Sequence, residues 1–233
     1  MVETAEFERW LREIRKLTGR PRLSDQTAAS MRGLTKLVRD TDPRVIVELG
    51  TGYGLSLRTF LAASDVQVVS VDRSHGGFRA SLRVLPLSDQ EKARLALLEA
   101  NVFKIEQVPW YPWERVLLYV DVHGDDLMRH IIEHFVETLP AGSVVCVDDL
   151  WYSEQCLTEE TAPQFYESVI KPLLDPKAKK ARTRLRHYAD YWHGGSFYGF
   201  AEVHPLMEWV NERRVWVQLV GIQGWAKQIW FEV

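Results

Sequence analysis

Five short apolar runs in this chain each end on a polar side chain with useful chemistry. Arg44-Val-Ile-Val-Glu48 ends on Glu48, Val66 to Val71 on Asp72, and Leu95 to Leu98 on Glu99-Ala-Asn101. Val116 to Val120 ends on Asp121, and Val144 to Val147 on Asp148-Asp149. A carboxylate can accept hydrogen bonds from two neighbouring hydroxyls, or hold a hard cation through oxygen. One such acid could simply cap the next helix; five polar ends in succession call for more than capping. Between the first run and the helix-forming stretch Leu55 to Ala63 lies Gly50-Thr-Gly-Tyr-Gly54, where glycine lets backbone approach a ligand closely. The third glycine comes one residue early for the dinucleotide turn G-x-G-x-x-G, with Leu55 in that place. No G-x-x-x-x-G-K-[ST] segment occurs, which removes the usual triphosphate cradle.

Elements that could hold these groups are legible around them. Phe7, Trp10, Leu11, Ile14 and Leu17 recur at helical spacing and predict a first amphipathic helix ended by Gly19 and Pro21. Ser24 can cap a second helix to about Asp40, burying Ala28, Met31, Leu34, Leu37 and Val38, and Asp42-Pro43 stops it. Leu127, Met128, Ile131, Ile132, Phe135, Val136 and Leu139 predict a helix closed by Pro140-Ala-Gly142. Near-continuous Val/Ile/Leu runs alternating with helices are what a parallel sheet covered on both faces requires. Val215 to Val220 and Lys227 to Val233, flanking Gly221 to Gly224, predict a closing antiparallel hairpin. Helices are expected near Thr158–Leu174 and Pro205–Arg213. In such a sheet, ligands bind beyond the carboxyl ends of the strands, near the point where strand order reverses. The polar run ends fall on that edge.

The motifs resemble those of class I S-adenosylmethionine-dependent methyltransferases. Glu48-Leu-Gly-Thr-Gly-Tyr-Gly-Leu-Ser56 resembles the first motif, in the serine-bearing variant of the catechol and macrocin O-methyltransferase branches. Ser70-Val-Asp72 resembles the second motif, whose acid binds the ribose hydroxyls, and Glu99-Ala-Asn101-Val-Phe resembles the segment bordering the adenine. Tyr119-Val-Asp121-Val-His-Gly and Val147-Asp148-Asp149 resemble the strand ends where metal-dependent members place three magnesium ligands. The match runs from about Ser24 to Tyr152 and resumes at the hairpin. It implies a Rossmann-like, doubly wound, seven-stranded and mostly parallel α/β sheet with N-terminal helices and an insertion after the fifth strand. It also implies a cofactor site of Glu48, Gly50, Thr51, Gly52, Tyr53, Gly54, Ser56, Asp72, Arg73, Asn101 and Asp121. Asp121, Asp148 and Asp149 would hold Mg²⁺. Glu48 would support the glycine loop or reach the amino group of S-adenosyl-L-methionine through water. Related pockets often carry a Lys or a second acid after the fourth strand; Val122-His123-Gly124-Asp125-Asp126 stands here instead.

His123 is therefore the candidate general base beside Asp121, since an imidazole accepts a proton near neutral pH; a loop histidine bonded to backbone is the competing reading. His130 and His134, at i and i+4, read as a solvated helix face. The expected reaction is O-methylation of a small-molecule acceptor with adjacent oxygens, such as a catechol or sugar diol. A cephalosporin hydroxylase-like enzyme of the same fold and a non-catalytic cofactor-binding or interaction module are the alternatives.

One domain is expected: N-terminal helices over 1–42, a cofactor core over 43–150, an acceptor-binding insertion or lid over 151–201, and a last helix with the hairpin over 202–233. Trp151 and Tyr152 would wall the pocket, and Gly194, Gly195 and Gly199 would let a lid move. The basic stretch Lys177 to His187 suits a solvated helix face, with a phosphate, an acidic substrate or RNA as other candidates. With 29 Lys and Arg against 32 Asp and Glu in 233 residues, the net charge of −3 gives no global attraction to nucleic acid or anionic lipid. The chain shows neither the apolar length of a membrane span nor a secretory N-terminus. Two cysteines, Cys146 and Cys156, make no disulfide framework, and a reducing cytoplasm is the expected compartment. Trp216, Trp225 and Trp230 around the hairpin make a homodimer a candidate assembly.

Overall fold

The structure, a computed structural model, describes residues 4–19, 28–108, 110, 114–148, 157–158, 192–193, 196–197, 203–222 and 225–233. Strands β1 (Val45–Leu49), β2 (Gln67–Asp72), β3 (Leu95–Glu99), β4 (Val116–Val120) and β5 (Val144–Val147) coincide closely with the five apolar runs. The C-terminal hairpin is β9 (Val217–Ile222) and β10 (Trp225–Glu232). Together they form one seven-stranded sheet of order β3-β2-β1-β4-β5-β10-β9. β1 to β5 run parallel, whereas β10 is antiparallel to both β5 and β9. Strand order reverses between β1 and β4, so this is the point at which an α/β sheet opens a crevice beyond its carboxyl ends.

The strands are greasy on both sides because both faces are covered. Val45, Val47 and Leu49 of β1, with Val116, Leu118 and Val120 of β4, pack toward α6 (Asp125–Ile131) and α7 (Val203–Arg213), meeting Met128, Ile131, Leu206 and Val210. The alternate residues Ile46, Leu117, Tyr119 and Cys146 pack on the other face. There they meet Leu34 and Leu37 of α2 (Ala28–Thr41) and Leu57 and Phe60 of α3 (Leu55–Ala63). Full burial of such a side chain stabilises by about 1.5–3 kcal/mol, so these central strands anchor everything built on them. α1 (Thr4–Thr18) lays Phe7, Trp10, Leu11 and Ile14 against Met31, Leu55 and Leu85. Leu17, expected on the buried stripe, is 36% exposed, because the helix leaves its contact surface in the last turn.

Several expectations need correction. β3 is an edge strand rather than a doubly covered one, and it leaves Leu97 and Leu98 exposed. Between β2 and β3 the chain forms two short helices, α4 (Gly76–Ser81) and α5 (Asp89–Ala93), the latter held by a capping box of Ser88 and Glu91. The expected helix over Leu127 to Leu139 is α6 continued by a π-helical turn over Ile132–Val136. Thr158 belongs to β6 (Leu157–Thr158), not to a helix. β6 pairs with β8 (Ser196–Phe197), which also pairs with β7 (Trp192–His193). The rest of the expected 158–174 helix, the cap Ser24, Trp151, Tyr152, Cys156, the 177–187 stretch and the lid glycines lie outside the described residues. Among the described residues no helix is long and apolar enough to cross a membrane.

Candidate active site

β1 and β4 adjoin in the sheet, and their carboxyl ends approach so closely that side chains have no room between them. Gly50 has φ +93°, donates its N–H to the carbonyl of Val71 at 2.9 Å, and would place a Cβ 2.2 Å from the carbonyl oxygen of Asp121. Gly54 opens α3 with φ +77°, and a Cβ there would meet the ring of Phe78 at 2.3 Å. Phe78 is fixed in turn by the buried Arg58, whose guanidinium lies 5.7 Å from its ring centroid and donates to the carbonyl of Leu85. The glycine loop is therefore shaped by packing below it, with its backbone exposed above.

Asp72, at the end of β2, completes that loop. Its Oδ2 accepts the N–H of Thr51 at 2.8 Å and of Gly52 at 3.4 Å, and its Oδ1 accepts the N–H of Ser74 at 3.1 Å. Asn101 accepts the N–H of Phe103 at 3.1 Å, capping the single 3-10 turn Val102–Lys104. These ends converge on one cavity of about 970 Å³. It is lined by Gly50, Gly52, Asp72, Arg73, Asn101, Asp121 and His123, with Phe103, Asp126 and Leu127 among the other walls. Nε2 of His123 lies 3.9 Å from Oδ1 of Asp121, and the histidine is the more exposed of the two.

Other expected cofactor residues sit behind this surface. Strand alternation turns Glu48 toward α3, where it is fully buried. It accepts the hydroxyls of Ser56 and Ser70, each at 2.5 Å. Ser70 Oγ is also 2.5 Å from Thr51 Oγ1, so a chain of hydroxyls links the loop to the buried acid. Burial pushes the Glu48 carboxyl up to about 7, although the hydroxyls of Ser56 and Ser70 pull it down. Through Ser70 and Thr51 the buried Glu48 is joined to the glycine loop. Ser56 and Thr51 are buried, and Tyr53 packs against the α1 cluster; none of these three side chains lines the cavity.

Two of the three expected magnesium ligands, Asp121 and Asp148, lie among the described residues. Among the described residues no group of three His, Cys, Asp or Glu side chains is placed to hold a metal ion. Asp121 faces the cavity, but Asp148 is 2% exposed and accepts the phenol of Tyr119 on the α3 face of the sheet. Asp148 stands two residues beyond Cys146, which pairs with Tyr119 in the β4–β5 register, and so shares the face of Tyr119. Burial, then the negative charges of Asp148 and Asp121, hold the Tyr119 hydroxyl protonated well above its usual value. Asp149 lies outside the described residues. Of the two described members, Asp121 alone lines the cavity.

Two features escaped the sequence reading. His130 and His134 are not a solvated face. Nε2 of His130 lies 2.9 Å from the carbonyl of Ile105 and 3.1 Å from that of Val102, and Nδ1 of His134 lies 3.0 Å from the carbonyl of Glu106. The second feature is the pair of polar residues set inside apolar runs, Ser70 and Tyr119. Their position among Val and Leu was the available signal, since a buried hydroxyl needs a partner.

A parallel sheet with an antiparallel closing hairpin and a crevice beside a glycine loop is the architecture of the class I S-adenosylmethionine-dependent methyltransferases. Solved structures of such enzymes superpose on nearly the whole chain. The methyltransferase PaMTH1 of Podospora anserina, bound to S-adenosylhomocysteine, matches 96% of this chain and 86% of its own, at 16% identity and a TM-score of 0.60. The O-methyltransferase TomG of Streptomyces achromogenes, involved in tomaymycin synthesis and bound to S-adenosylmethionine, matches 100% and 90% at 15% identity and 0.59. CalS11, a TDP-rhamnose 3′-O-methyltransferase of calicheamicin biosynthesis, matches 100% and 96% at 18% identity and 0.54. No family model matches the chain, and no curated protein matches it by sequence. The chain has the fold of these O-methyltransferases.

Proposed function

We propose that this protein transfers the methyl group of S-adenosyl-L-methionine to a hydroxyl of a small-molecule acceptor. The carrying observation is the convergence of Gly50, Gly52, Asp72, Asn101 and Asp121 on one cavity at the reversal of strand order. At about 970 Å³ the cavity is at the upper end of small-ligand sites, which leaves room for an acceptor beside the cofactor. The backbone at Gly50 and Gly52 borders the amino-acid part of the cofactor. Asp72 receives the ribose hydroxyls, and Arg73 and Asn101 lie toward the base.

A sulfonium methyl is already activated. The protein's remaining work is to hold a nucleophilic oxygen in line with it and to remove that oxygen's proton. His123 is exposed into the cavity and can take the proton, while Asp121 steadies the resulting imidazolium from 3.9 Å. This reading gives proton removal to the His123–Asp121 pair. The 151–201 segment follows the fifth strand and is assigned acceptor recognition, a sugar diol or catechol being the favoured chemistry. On this reading the whole chain acts as one domain in a reducing cytoplasm. Trp216 is 94% exposed where the chain enters the edge strand β9, which favours a homodimer through the hairpin.

Isothermal titration with S-adenosylhomocysteine tests the cofactor, and absence of heat at high micromolar ligand overturns the assignment. A radiolabelled methyl assay over hydroxylated metabolites then tests the reaction, and light scattering on the same samples tests the dimer.

A further inference from the structure

Moving outward along the sheet from the glycine loop, the cavity passes Asp72 at the end of β2 and reaches the turn after the edge strand β3. There Phe103 lines the cavity with 49% of its surface exposed. A lone exposed aromatic is ordinary. What surrounds this one is not. The His130 ring lies parallel to it, at 7° and 5.1 Å between centroids. Nε2 of His130 faces two carbonyl acceptors, Val102 and Ile105, so that nitrogen carries the hydrogen and donates. His134, with its ring 4.4 Å from that of His130, reaches the carbonyl of Glu106 through Nδ1. All three carbonyls belong to the segment carrying Phe103. Both histidines belong to the helical stretch whose first turn supplies Asp126 and Leu127 to the same cavity.

We propose that His130 is a positioning residue of the cofactor site: stacked behind Phe103 and bonded to its turn, it presents that ring as a platform for the adenine of S-adenosylmethionine. The inference rests on the methyltransferase reading and deepens it. The purine is the flat, weakly hydrated part of the cofactor, and it belongs at the far end of the cavity once the ribose lies at Asp72. Stacking on a protein ring requires a fixed ring plane, which a lone side chain on a three-residue turn would not have. The imidazole supplies that plane from one side, and its two hydrogen bonds prevent the turn from swinging away. His134 repeats the tether one helical turn later.

The test is calorimetric titration of S-adenosylhomocysteine into the full chain and its variants, with thermal melting alongside. Phe103→Leu is expected to weaken binding by about tenfold or more, the usual worth of one base–aromatic stack, and Phe103→Tyr to restore it. His130→Ala is expected to weaken binding several-fold where Phe103 is present. It is expected to add no further loss on top of Phe103→Leu, because it acts through that ring. Equal affinity of Phe103→Leu and the unaltered chain would overturn the proposal. So would a His130→Ala loss of affinity of the same size in both backgrounds, or a His130→Ala variant that melts lower with its affinity unchanged, the mark of a merely structural histidine. If the unaltered chain takes up no S-adenosylhomocysteine, the methyltransferase reading fails, and this inference fails with it.

Discussion

Replacing Glu48 by Gln should remove a pH dependence from the stability of the whole fold. Glu48 is fully buried, and burial raises its carboxyl from an ordinary 4.5 to about 7 against two hydroxyl donors. A group whose folded value lies above its unfolded one contributes stability that is complete below 4.5. That contribution is lost as pH rises through 7. At about 1.4 kcal/mol for each tenfold change in proton affinity, the full swing is about 3 kcal/mol. Gln keeps the shape, accepts one serine hydroxyl and donates to the other. Ser70 can then turn its hydrogen toward Thr51, so the hydroxyl chain survives the change.

The measurement is urea denaturation of both proteins across pH 4.5 to 8. Every other titrating group is common to the two, so their difference isolates Glu48. Relative to Glu48→Gln, the unaltered protein should lose about 2–3 kcal/mol over that range. Parallel profiles would refute the buried, loop-supporting role. Because Glu48 does not line the cavity, affinity for S-adenosylhomocysteine at pH 6 should be unchanged in the variant. A large loss of affinity at undiminished stability would return Glu48 to the cofactor's amino group.

Other outcomes follow from the same geometry. Gly50→Ala sets a methyl 2.2 Å from the Asp121 carbonyl at a left-handed φ, and should both destabilise by about 2 kcal/mol or more and abolish S-adenosylhomocysteine binding, read by melting and calorimetry. Tyr119→Phe removes a donor from the nearly buried Asp148 and should cost about 1–3 kcal/mol at neutral pH, read by urea denaturation. His123→Asn should lower the single-turnover methyl-transfer rate by about 10²–10⁴ while leaving the calorimetric cofactor affinity in place. Transfer should persist in excess EDTA; a rate abolished by the chelator and restored by Mg²⁺ would instead give proton removal to a magnesium ion held by the expected set of Asp121, Asp148 and Asp149.

The central sheet was readable because burial on both faces leaves no choice of residue. Ile46, Val47, Leu117, Leu118 and Val145 are each 3% exposed or less, and a run of such side chains ending on an acid can hardly be anything but an inner strand. β3 misled for the same reason. Leu95 to Leu98 have the composition of an inner strand, but only pairing decides which strand ends the sheet. The polar ends at Asp72, Asn101 and Asp121 were legible as one rim because parallel strands put all their carboxyl ends on one side. Short elements such as α4 and the π-helical turn were not legible, since their hydrogen bonding is set by what they pack against.

Within the site, facing was harder to read than position. Glu48 and Asp121 both mark strand ends, yet Glu48 falls inside β1 and its side chain obeys strand alternation, turning to Ser56 and Ser70. Asp121 and Asp148 each stand one residue past their strands, and each N–H still donates into the ladder, that of Asp121 to the carbonyl of Leu49 at 2.8 Å and that of Asp148 to the carbonyl of Val120 at 2.9 Å. What separates them is the side chain's surroundings: Asp148 is buried and accepts the phenol of Tyr119, whereas Asp121 keeps 25% of its side chain exposed and lines the cavity. On this ground Asp121, rather than Asp148 or Glu48, is the acid that the proposed chemistry can use.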